Sequence, residues 1–278
     1  MSADIKWHSA GRNNWLSVAK PDERFLVEFN QKANTLYTNF EEAAFYNAQC
    51  IYEDWKHKDL YVSLSGGLDS ELVANSFYNQ GIPFTPLIID LGELNYLERW
   101  YAEYWCNTKN IKPLIITVSA DEMFKNIFVP YMKFMPKHSQ YYATLITLFA
   151  ADYVDTLFGA YVTGLSDPNW DLDRKEFFCD YIDFPLDIHR AGKHPTGFFS
   201  YTPEVMLSYS YQFDTTLDEQ YNKINFYKVP PRVKYNYAYE LGNYIPKLAN
   251  IIALREKSMN TPVPHWYGSK SEFIELLS

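Results

Sequence analysis

The hydrophobic positions of the chain change their spacing several times, which predicts alternating strands and helices. Short β-prone apolar runs predict four strands, at residues 59–64, 84–90, 112–118 and 159–163. Apolar residues at helical spacing predict the helices between them, at residues 71–80, 95–107, 121–129 and 139–156. Strands that alternate with helices form a parallel sheet with right-handed crossovers and helices on both faces. The predicted fold class is therefore α/β, a doubly wound parallel sheet.

The segments on either side of this pattern carry weaker signals. Residues 24–29 are a candidate edge strand in an N-terminal stretch that is otherwise unassigned. Residues 39–58 predict a helix with Asn39 as its N-cap, and residues 203–213 predict a helix capped by Thr202. These elements are additions to the central sheet.

The helix predicted at residues 95–107 has a well-defined apolar stripe. Its members recur at i, i+3, i+4, i+7 and i+8, and they are Leu97, Trp100, Tyr101, Tyr104 and Trp105. A stripe of this kind is typical of a helix face that packs in the core, so we expect all five side chains to be buried. Stacking of Trp100 or Trp105 on a ligand is the alternative.

Composition and charge narrow the class of protein. Hydrophobic residues make up 47% of the 278 positions and charged residues 21%, as in an ordinary globular protein. The net charge of −9 argues against general nucleic-acid binding and against an anionic membrane surface. The three cysteines, Cys50, Cys106 and Cys179, are too widely separated to suggest a disulfide framework or a zinc site. Since the sequence also lacks a signal-peptide-like start or an apolar run of membrane-spanning length, we expect a cytoplasmic protein.

The turn between the first predicted strand and its helix is the most informative stretch chemically. It reads Ser65-Gly66-Gly67-Leu68-Asp69-Ser70. Adjacent glycines let the backbone fold closely around a ligand, and several N–H groups then point into one space at the positive end of the helix dipole. Such a turn binds anions, most naturally phosphate, and the two serine hydroxyls would add donors. A carboxylate beside phosphate requires a cation between them, so Asp69 implies Mg²⁺.

Two other phosphate-binding loops do not fit this stretch. A Walker A loop needs a Lys after its glycines, and a dinucleotide fingerprint needs Gly-x-Gly-x-x-Gly. What fits is Ser-Gly-Gly-x-Asp-Ser, which resembles the pyrophosphate loop of the N-type PP-loop ATP pyrophosphatases. That group includes asparagine synthetase, GMP synthetase and NAD synthetase. The resemblance covers residues 59–167.

The resemblance implies a strand order of 3-2-1-4-5, a site for ATP and Mg²⁺, and roles for particular residues. Ligands bind beyond the carboxyl ends of the strands where strand order reverses, so residues 65–70 would face residues 164–167 across one crevice. There Gly164 would lie against the nucleotide and Asp167 would be a second Mg²⁺ ligand beside Asp69. The alternative for Asp167 is an Asp-Pro turn. The backbone of residues 89–91 resembles the place where family members read the adenine edge.

Basic side chains from outside the loop complete the phosphate site in such enzymes. Residues 168–202 carry several candidates, of which Arg190 and Lys193 are preferred over the two neighbouring histidines as phosphate contacts. The predicted catalytic set is therefore Asp69, Arg190 and Lys193. The predicted organisation is an N-terminal extension with a packing helix (1–58), a PP-loop nucleotide-binding domain (59–167) and a C-terminal substrate-side region (168–278).

The activity that the resemblance implies is adenylation of a carboxylate or carbonyl oxygen with release of pyrophosphate. Amide or C–N bond formation would follow, as in asparagine synthetase. The sequence has no cysteine before Cys50 to serve as a glutaminase nucleophile, so ammonia or an amine would come from solution or from a separate donor protein. The alternatives are ATP-dependent sulfur transfer, which the lack of paired cysteines disfavours, and a non-catalytic adenine-nucleotide-binding module.

Overall fold

A parallel five-stranded sheet forms the centre of the protein, as predicted. The computed structural model describes residues 6–10, 13–18, 26–29, 31–92, 95–119, 122–128, 142–164, 169–171, 175–179, 196–217, 219–227 and 266–278. The first elements along the chain are β1 (Lys6–Ala10), β2 (Asn13–Val18), β3 (Leu26–Phe29), α1 (Phe40–Trp55), β4 (Leu60–Ser63), α2 (Leu68–Tyr78), β5 (Thr85–Asp90), α3 (Tyr96–Lys109) and β6 (Leu114–Thr117). A π-helix (Met123–Phe128) follows, and then come α4 (Tyr142–Thr156), β7 (Ala160–Thr163), β8 (Asn169–Asp171), β9 (Glu176–Cys179) and β10 (Thr196–Gly197). The remaining elements are α5 (Pro203–Gln212), α6 (Glu219–Tyr227), β11 (Trp266–Gly268) and α7 (Lys270–Leu277).

The strand order of the central sheet is β10-β7-β4-β5-β6, and all neighbouring strands are parallel. Counted along the chain, this is the predicted order 3-2-1-4-5. The sequence pattern identified the first four of these strands to within a few residues. The fifth, Thr196–Gly197, comes from the segment predicted as the C-terminal region. Strand order therefore reverses between β4 and β7, where a ligand site is expected.

Two hydrophobic clusters cover opposite faces of this sheet. On one face, Leu60, Val62 and Leu64 alternate inward and pack with buried residues of α1, α2, α3 and α5. On the other face, α4 and the π-helix pack on residues of β5, β6 and β7. Both faces of the central strands are covered, so both sets of alternating side chains are apolar. This is why the strands are continuous hydrophobic segments in the sequence.

The sequence predicted the limits of several helices through their end residues. Asn39 caps α1, because its side-chain Oδ1 accepts a hydrogen bond from the Glu41 N–H at 3.1 Å. Helix α2 ends at Tyr78, and Gly81 follows at φ +67°, a left-handed conformation that glycine adopts without strain. Helix α5 begins after Thr202, although the Thr202 hydroxyl donates to Asn47 Oδ1 at 2.9 Å and not to its own helix.

The predicted burial of the α3 stripe is confirmed for one of its five residues, and Leu97 and Tyr101 are only half-buried. Trp105 is buried, but Trp100 and Tyr104 are 53% and 57% exposed, and their rings stack on each other at 5.4 Å. The face that packs against the core consists of Ala102, Trp105 and Cys106. Two small residues and one large aromatic residue thus form the buried face, and the Trp100 and Tyr104 rings lie outside it.

Two further sheets lie outside the pattern that the sequence predicted. Strands β1, β2 and β3 form an antiparallel sheet, and the predicted edge strand at residues 24–29 corresponds to β3. Strands β8, β9 and β11 form the other antiparallel sheet. Within the described part of the chain, every helix is too short or too polar to cross a bilayer.

Candidate functional site

The glycine turn at residues 65–70 lies where the sheet topology predicts a ligand site. It follows β4 and enters α2, whose N-cap is Gly67 and whose first turn contains Leu68, Asp69 and Ser70. The N–H groups of a first helical turn have no acceptor within the helix. No side chain among the described residues caps this end of α2. The turn therefore presents backbone donors and a positive dipole end to the crevice.

The fold of the turn depends on the Ser70 hydroxyl. Ser70 Oγ donates to the Gly67 carbonyl at 2.9 Å, and it accepts hydrogen bonds from the Ser65 N–H at 3.2 Å and from Ser65 Oγ at 3.1 Å. A hydroxyl has one hydrogen, so the Ser70 hydroxyl is engaged within the turn. Ser65 is exposed, and its Oγ accepts from the Gly67 N–H at 3.3 Å. Of the two serines, Ser65 is therefore placed to meet a ligand and Ser70 to shape the turn.

Gly66 is required by two independent constraints. Its φ of +87° is unfavourable for any residue with a side chain. A Cβ at this position would also lie 2.1 Å from the Glu98 carbonyl oxygen, in the first turn of α3. The turn and α3 are thus in direct backbone contact. Gly67 has neither constraint, since its φ is −76° and a Cβ there would lie 3.5 Å from Ser65 Oγ.

Gly164, just after β7, packs on the same turn from the other side. A Cβ on Gly164 would lie 3.0 Å from the Asp69 carbonyl carbon and 3.1 Å from the Ser70 nitrogen. This is the juxtaposition expected from the strand order. Asp167, Arg190 and Lys193 lie outside the described residues, so their roles stay predictions.

A lysine that the sequence analysis did not single out completes the described site. Lys223 Nζ lies 3.2 Å from Asp69 Oδ1 and 3.3 Å from Oδ2, so one ammonium group holds both carboxylate oxygens. The side chains of Lys223 and Asp69 are 11% and 31% exposed. Lys223 belongs to α6, and no motif surrounds it. One sequence feature could have pointed to it. Lys223 lies three residues before Phe226, so in a helix the lysine shares a face with an aromatic residue that packs on the core.

Helix α6 is held firmly enough to fix the position of Lys223. The neighbouring Asn222 side chain accepts from the Asp214 N–H at 2.7 Å and donates to the Asp214 carbonyl at 2.9 Å. Phe226 packs its ring against those of Phe40 and Tyr209, at 5.7 and 5.4 Å between ring centroids. These contacts hold α6 in place, and α6 in turn positions the Lys223 ammonium next to the turn.

The carboxyl end of β5, the strand next to β4 in the sheet, is tied to α3. Asp90 accepts hydrogen bonds from Arg99 Nη1 at 2.6 Å, from the Gly92 N–H at 2.9 Å and from Thr117 Oγ1 at 3.3 Å. Burial alone would raise the pKa of Asp90, but these hydrogen bonds and the Arg99 charge hold it below its ordinary value. Asp90 therefore fixes α3 against the sheet.

Glu98 contributes an unusual carboxyl group at the start of α3. Burial raises its pKa to about 8. The carboxyl is therefore largely protonated at neutral pH. The backbone of the same residue contacts the glycine turn.

The described cysteine thiols are not exposed reactive groups. Cys50 and Cys106 are both buried, and burial raises the pKa of Cys106 to about 11. Thiolate chemistry needs an exposed cysteine of lowered pKa, so these two residues serve as core side chains.

Comparison with known proteins reveals only remote similarity. No model of a known protein family matches the sequence, and no curated protein matches it. The structure is similar to an NMN synthetase from Francisella tularensis, with 17% identity and a TM-score of 0.34 over 45% of this chain and 53% of that one. It is also similar to an NH3-dependent NAD synthetase from Campylobacter jejuni, with 16% identity and a TM-score of 0.33 over 80% of this chain and 93% of that one.

The chain spans about half the length of the first of these two relatives. Similarity at these TM-scores carries no argument about function. The fold is assigned from the strand order, and the chemistry is inferred from the geometry of the turn.

The two glycines of the turn allow a matched test of this geometry. Gly66→Ala should lower the Tm by about 5 °C or more, because it forces a side chain into a left-handed conformation and against the Glu98 carbonyl. Gly67→Ala should stay within about 2 °C of wild type, because its Cβ makes an ordinary contact. Thermal unfolding followed by circular dichroism measures both, and equal Tm values for the two variants would contradict the described turn.

The raised pKa of Glu98 predicts a pH dependence of stability. A carboxyl whose folded pKa lies above its unfolded value loses stability as pH rises between the two values, here from about 4.5 to about 8. Glu98→Gln, which stays neutral, should flatten the fall in Tm over this range and raise the Tm at pH 8. Glu42→Gln, at an exposed position on α1, is the control and should keep the wild-type fall in Tm. A Glu98→Gln profile parallel to wild type would show that the carboxyl is not desolvated.

Proposed function

We propose that this protein is an ATP-dependent, AMP-forming enzyme that activates a carboxylate or carbonyl oxygen of a small acceptor as its adenylate. The observation that carries the proposal is the meeting of three features at one strand end: the glycine turn, Asp69 and the Lys223 ammonium. Together they offer backbone N–H donors, a helix dipole, a carboxylate and a positive charge to a polyphosphate. Cradles of this kind stabilise charge that develops on a leaving pyrophosphate.

The donor set at Asp69 fits Mg²⁺. Mg²⁺ typically takes one or two carboxylates together with substrate phosphates and water. Asp69 already holds a cation in this structure, the Lys223 ammonium, on both of its oxygens. Among the described residues no three acidic, histidine or cysteine side chains converge on one point. This fits an ion that arrives with the nucleotide and is shared between Asp69 and the phosphates, where it would neutralise charge on the pyrophosphate.

The proposed reaction has two steps. First, the acceptor oxygen attacks the α-phosphorus of ATP, the bond from that phosphorus to the bridging oxygen breaks, and pyrophosphate leaves with the electron pair. The turn and Lys223 bind this leaving group and hold it as one unit. Second, ammonia or an amine attacks the activated carbon, AMP leaves, and the nitrogen loses a proton to solvent.

Lys223 takes a role that the sequence analysis assigned to Arg190 and Lys193. If Asp69 held a divalent cation, that ion would replace the Lys223 ammonium as the partner of the carboxylate. The ammonium group would then be within reach of a phosphate oxygen while α6 stays in place. Arg190 and Lys193 remain proposed as further phosphate contacts, and Asp167 as a further carboxylate ligand.

The products of ATP cleavage provide the direct test of the activity. The protein is incubated with ATP, Mg²⁺, ammonium and pools of small carboxylates, and the nucleotides are separated by chromatography. The expected products are AMP and pyrophosphate.

Asp69→Asn should lower turnover by on the order of a hundredfold, because it removes a charge that stabilises the transition state. Its fold should be retained, since Asp69 lies inside the first turn of α2 and is not its cap. ADP as the main wild-type product, or undiminished turnover in Asp69→Asn, would contradict the proposal.

Substitution of Lys223 tests the contribution of α6. Lys223→Met keeps the length of the side chain but removes its charge, and it should lower kcat/KM for pyrophosphate release by on the order of a hundredfold. Lys223→Arg should recover part of the activity, because it restores the charge with a different shape. Lys56→Met, an exposed lysine at the end of α1, is the control and should behave as wild type. Wild-type kinetics in folded Lys223→Met would remove this residue from the site.

A further inference from the structure

The Ile89 carbonyl and the Leu91 N–H, at the end of β5, lie beyond the last paired residue of β4, on the side of β5 that faces β4. The Leu87 carbonyl accepts from the Leu64 N–H, whereas the Asp90 carbonyl accepts from the Val118 N–H on the opposite side of the strand. Because the direction alternates along a strand, the Ile89 carbonyl and the Leu91 N–H point to the same side as Leu87. Strand β4 has already turned into the glycine loop at that level, so it supplies no partner for them.

The side chain of Asn95 holds both of these groups. Asn95 Oδ1 accepts from the Leu91 N–H at 2.8 Å, and Asn95 Nδ2 donates to the Ile89 carbonyl at 2.7 Å. Asn95 is the N-cap residue of α3, yet in the described structure its side chain makes no capping bond to that helix. The Asn95 carboxamide therefore makes its hydrogen bonds to the end of β5 and does not cap α3.

A carboxamide presents an acceptor and a donor side by side in one plane. Adenine presents the same pair on one edge, with N1 as acceptor and the N6 amino group as donor. Guanine presents the reverse pair, O6 as acceptor and N1–H as donor, which would set O6 against the Ile89 carbonyl. The Leu91 N–H has one hydrogen, so it serves either Asn95 or a ligand but not both.

The end of β5 and the glycine turn are close enough to bind two parts of one ligand. Gly66 touches the Glu98 carbonyl, and Asn95 lies three residues before Glu98 at the start of the same helix. A nucleotide whose phosphates occupy the turn would thus extend its base along the start of α3 and over β5.

We propose that Asn95 is an intramolecular substitute for the adenine base, which closes the end of β5 in the free protein and swings out when ATP binds. This inference rests on the proposed function, which makes ATP the ligand. Binding of the base must first break the two Asn95 hydrogen bonds, so the free protein binds adenine nucleotides less tightly than an open strand end would. Discrimination against guanine follows from the fixed polarity of the Ile89 and Leu91 groups.

The test is titration calorimetry with α,β-methylene ATP and, separately, with tripolyphosphate, both in the presence of Mg²⁺. Asn95→Ala should bind the ATP analogue about tenfold more tightly than wild type, because two hydrogen bonds no longer compete with the base. Tripolyphosphate should bind both proteins equally. Asn107→Ala, an exposed asparagine on the same helix, is the control and should match wild type. If Asn95→Ala does not fold, Asn95→Ser replaces it, because a short hydroxyl cannot reach both groups.

Amide hydrogen exchange at Leu91 provides a second readout that does not depend on turnover. In wild type this amide should be protected with and without the analogue, and in Asn95→Ala only with it. Unchanged or weaker analogue binding by Asn95→Ala would overturn the inference, as would binding of the analogue by neither protein. A failure of tripolyphosphate to bind would instead contradict the proposed phosphate site. Tighter analogue binding by Asn95→Ala would then still support the base site.

Discussion

Close contact between backbones at two glycines is the constraint on which the crevice depends. Gly66 lets the turn after β4 touch the first turn of α3, and Gly164 lets the end of β7 touch the first turn of α2. In each case the neighbouring atoms are backbone, which cannot move aside as a flexible side chain can. The start of α3 and the end of β7 are thereby held against the turn that follows β4. The helices are fixed by the two cores of the sheet, so the turn is shaped before any ligand arrives.

Three acidic side chains, in the glycine turn, at the end of β5 and on α3, are each neutralised, which suits the polyphosphate that we propose as the ligand. Lys223 neutralises Asp69, Arg99 neutralises Asp90, and burial keeps Glu98 largely protonated. A largely buried ion pair recovers in Coulomb energy little more than the desolvation of its two charges costs, so it is weak evidence of a contribution to stability. Stability therefore gives little reason to bring a lysine from α6 to the glycine turn, whereas stabilising the charge on the leaving group of the proposed reaction would give a strong one. We interpret the pair as part of the site.

The sequence predicted the parts of the molecule that depend on local chemistry. The glycine turn, the Asn39 cap, the stop at Gly81 and the four alternating strands all follow from residues close to one another in the chain. Lys223 and β10 could not be predicted in this way, because their places depend on long-range packing and no local motif marks them. The α3 stripe misled for a related reason. Its aromatic residues have helical periodicity, but long-range packing buries the face with Ala102, Trp105 and Cys106, which shares only Trp105 with the stripe.

The central claim is that the turn at residues 65–70 and Lys223 together hold the pyrophosphate portion of ATP. A crystal structure with α,β-methylene ATP and Mg²⁺ tests this most directly. The account predicts the β- and γ-phosphates within hydrogen-bonding distance of the N–H groups of the turn, with Mg²⁺ on Asp69 and Lys223 Nζ moved to a phosphate oxygen. A nucleotide bound elsewhere, with the Asp69–Lys223 pair unchanged, would contradict it.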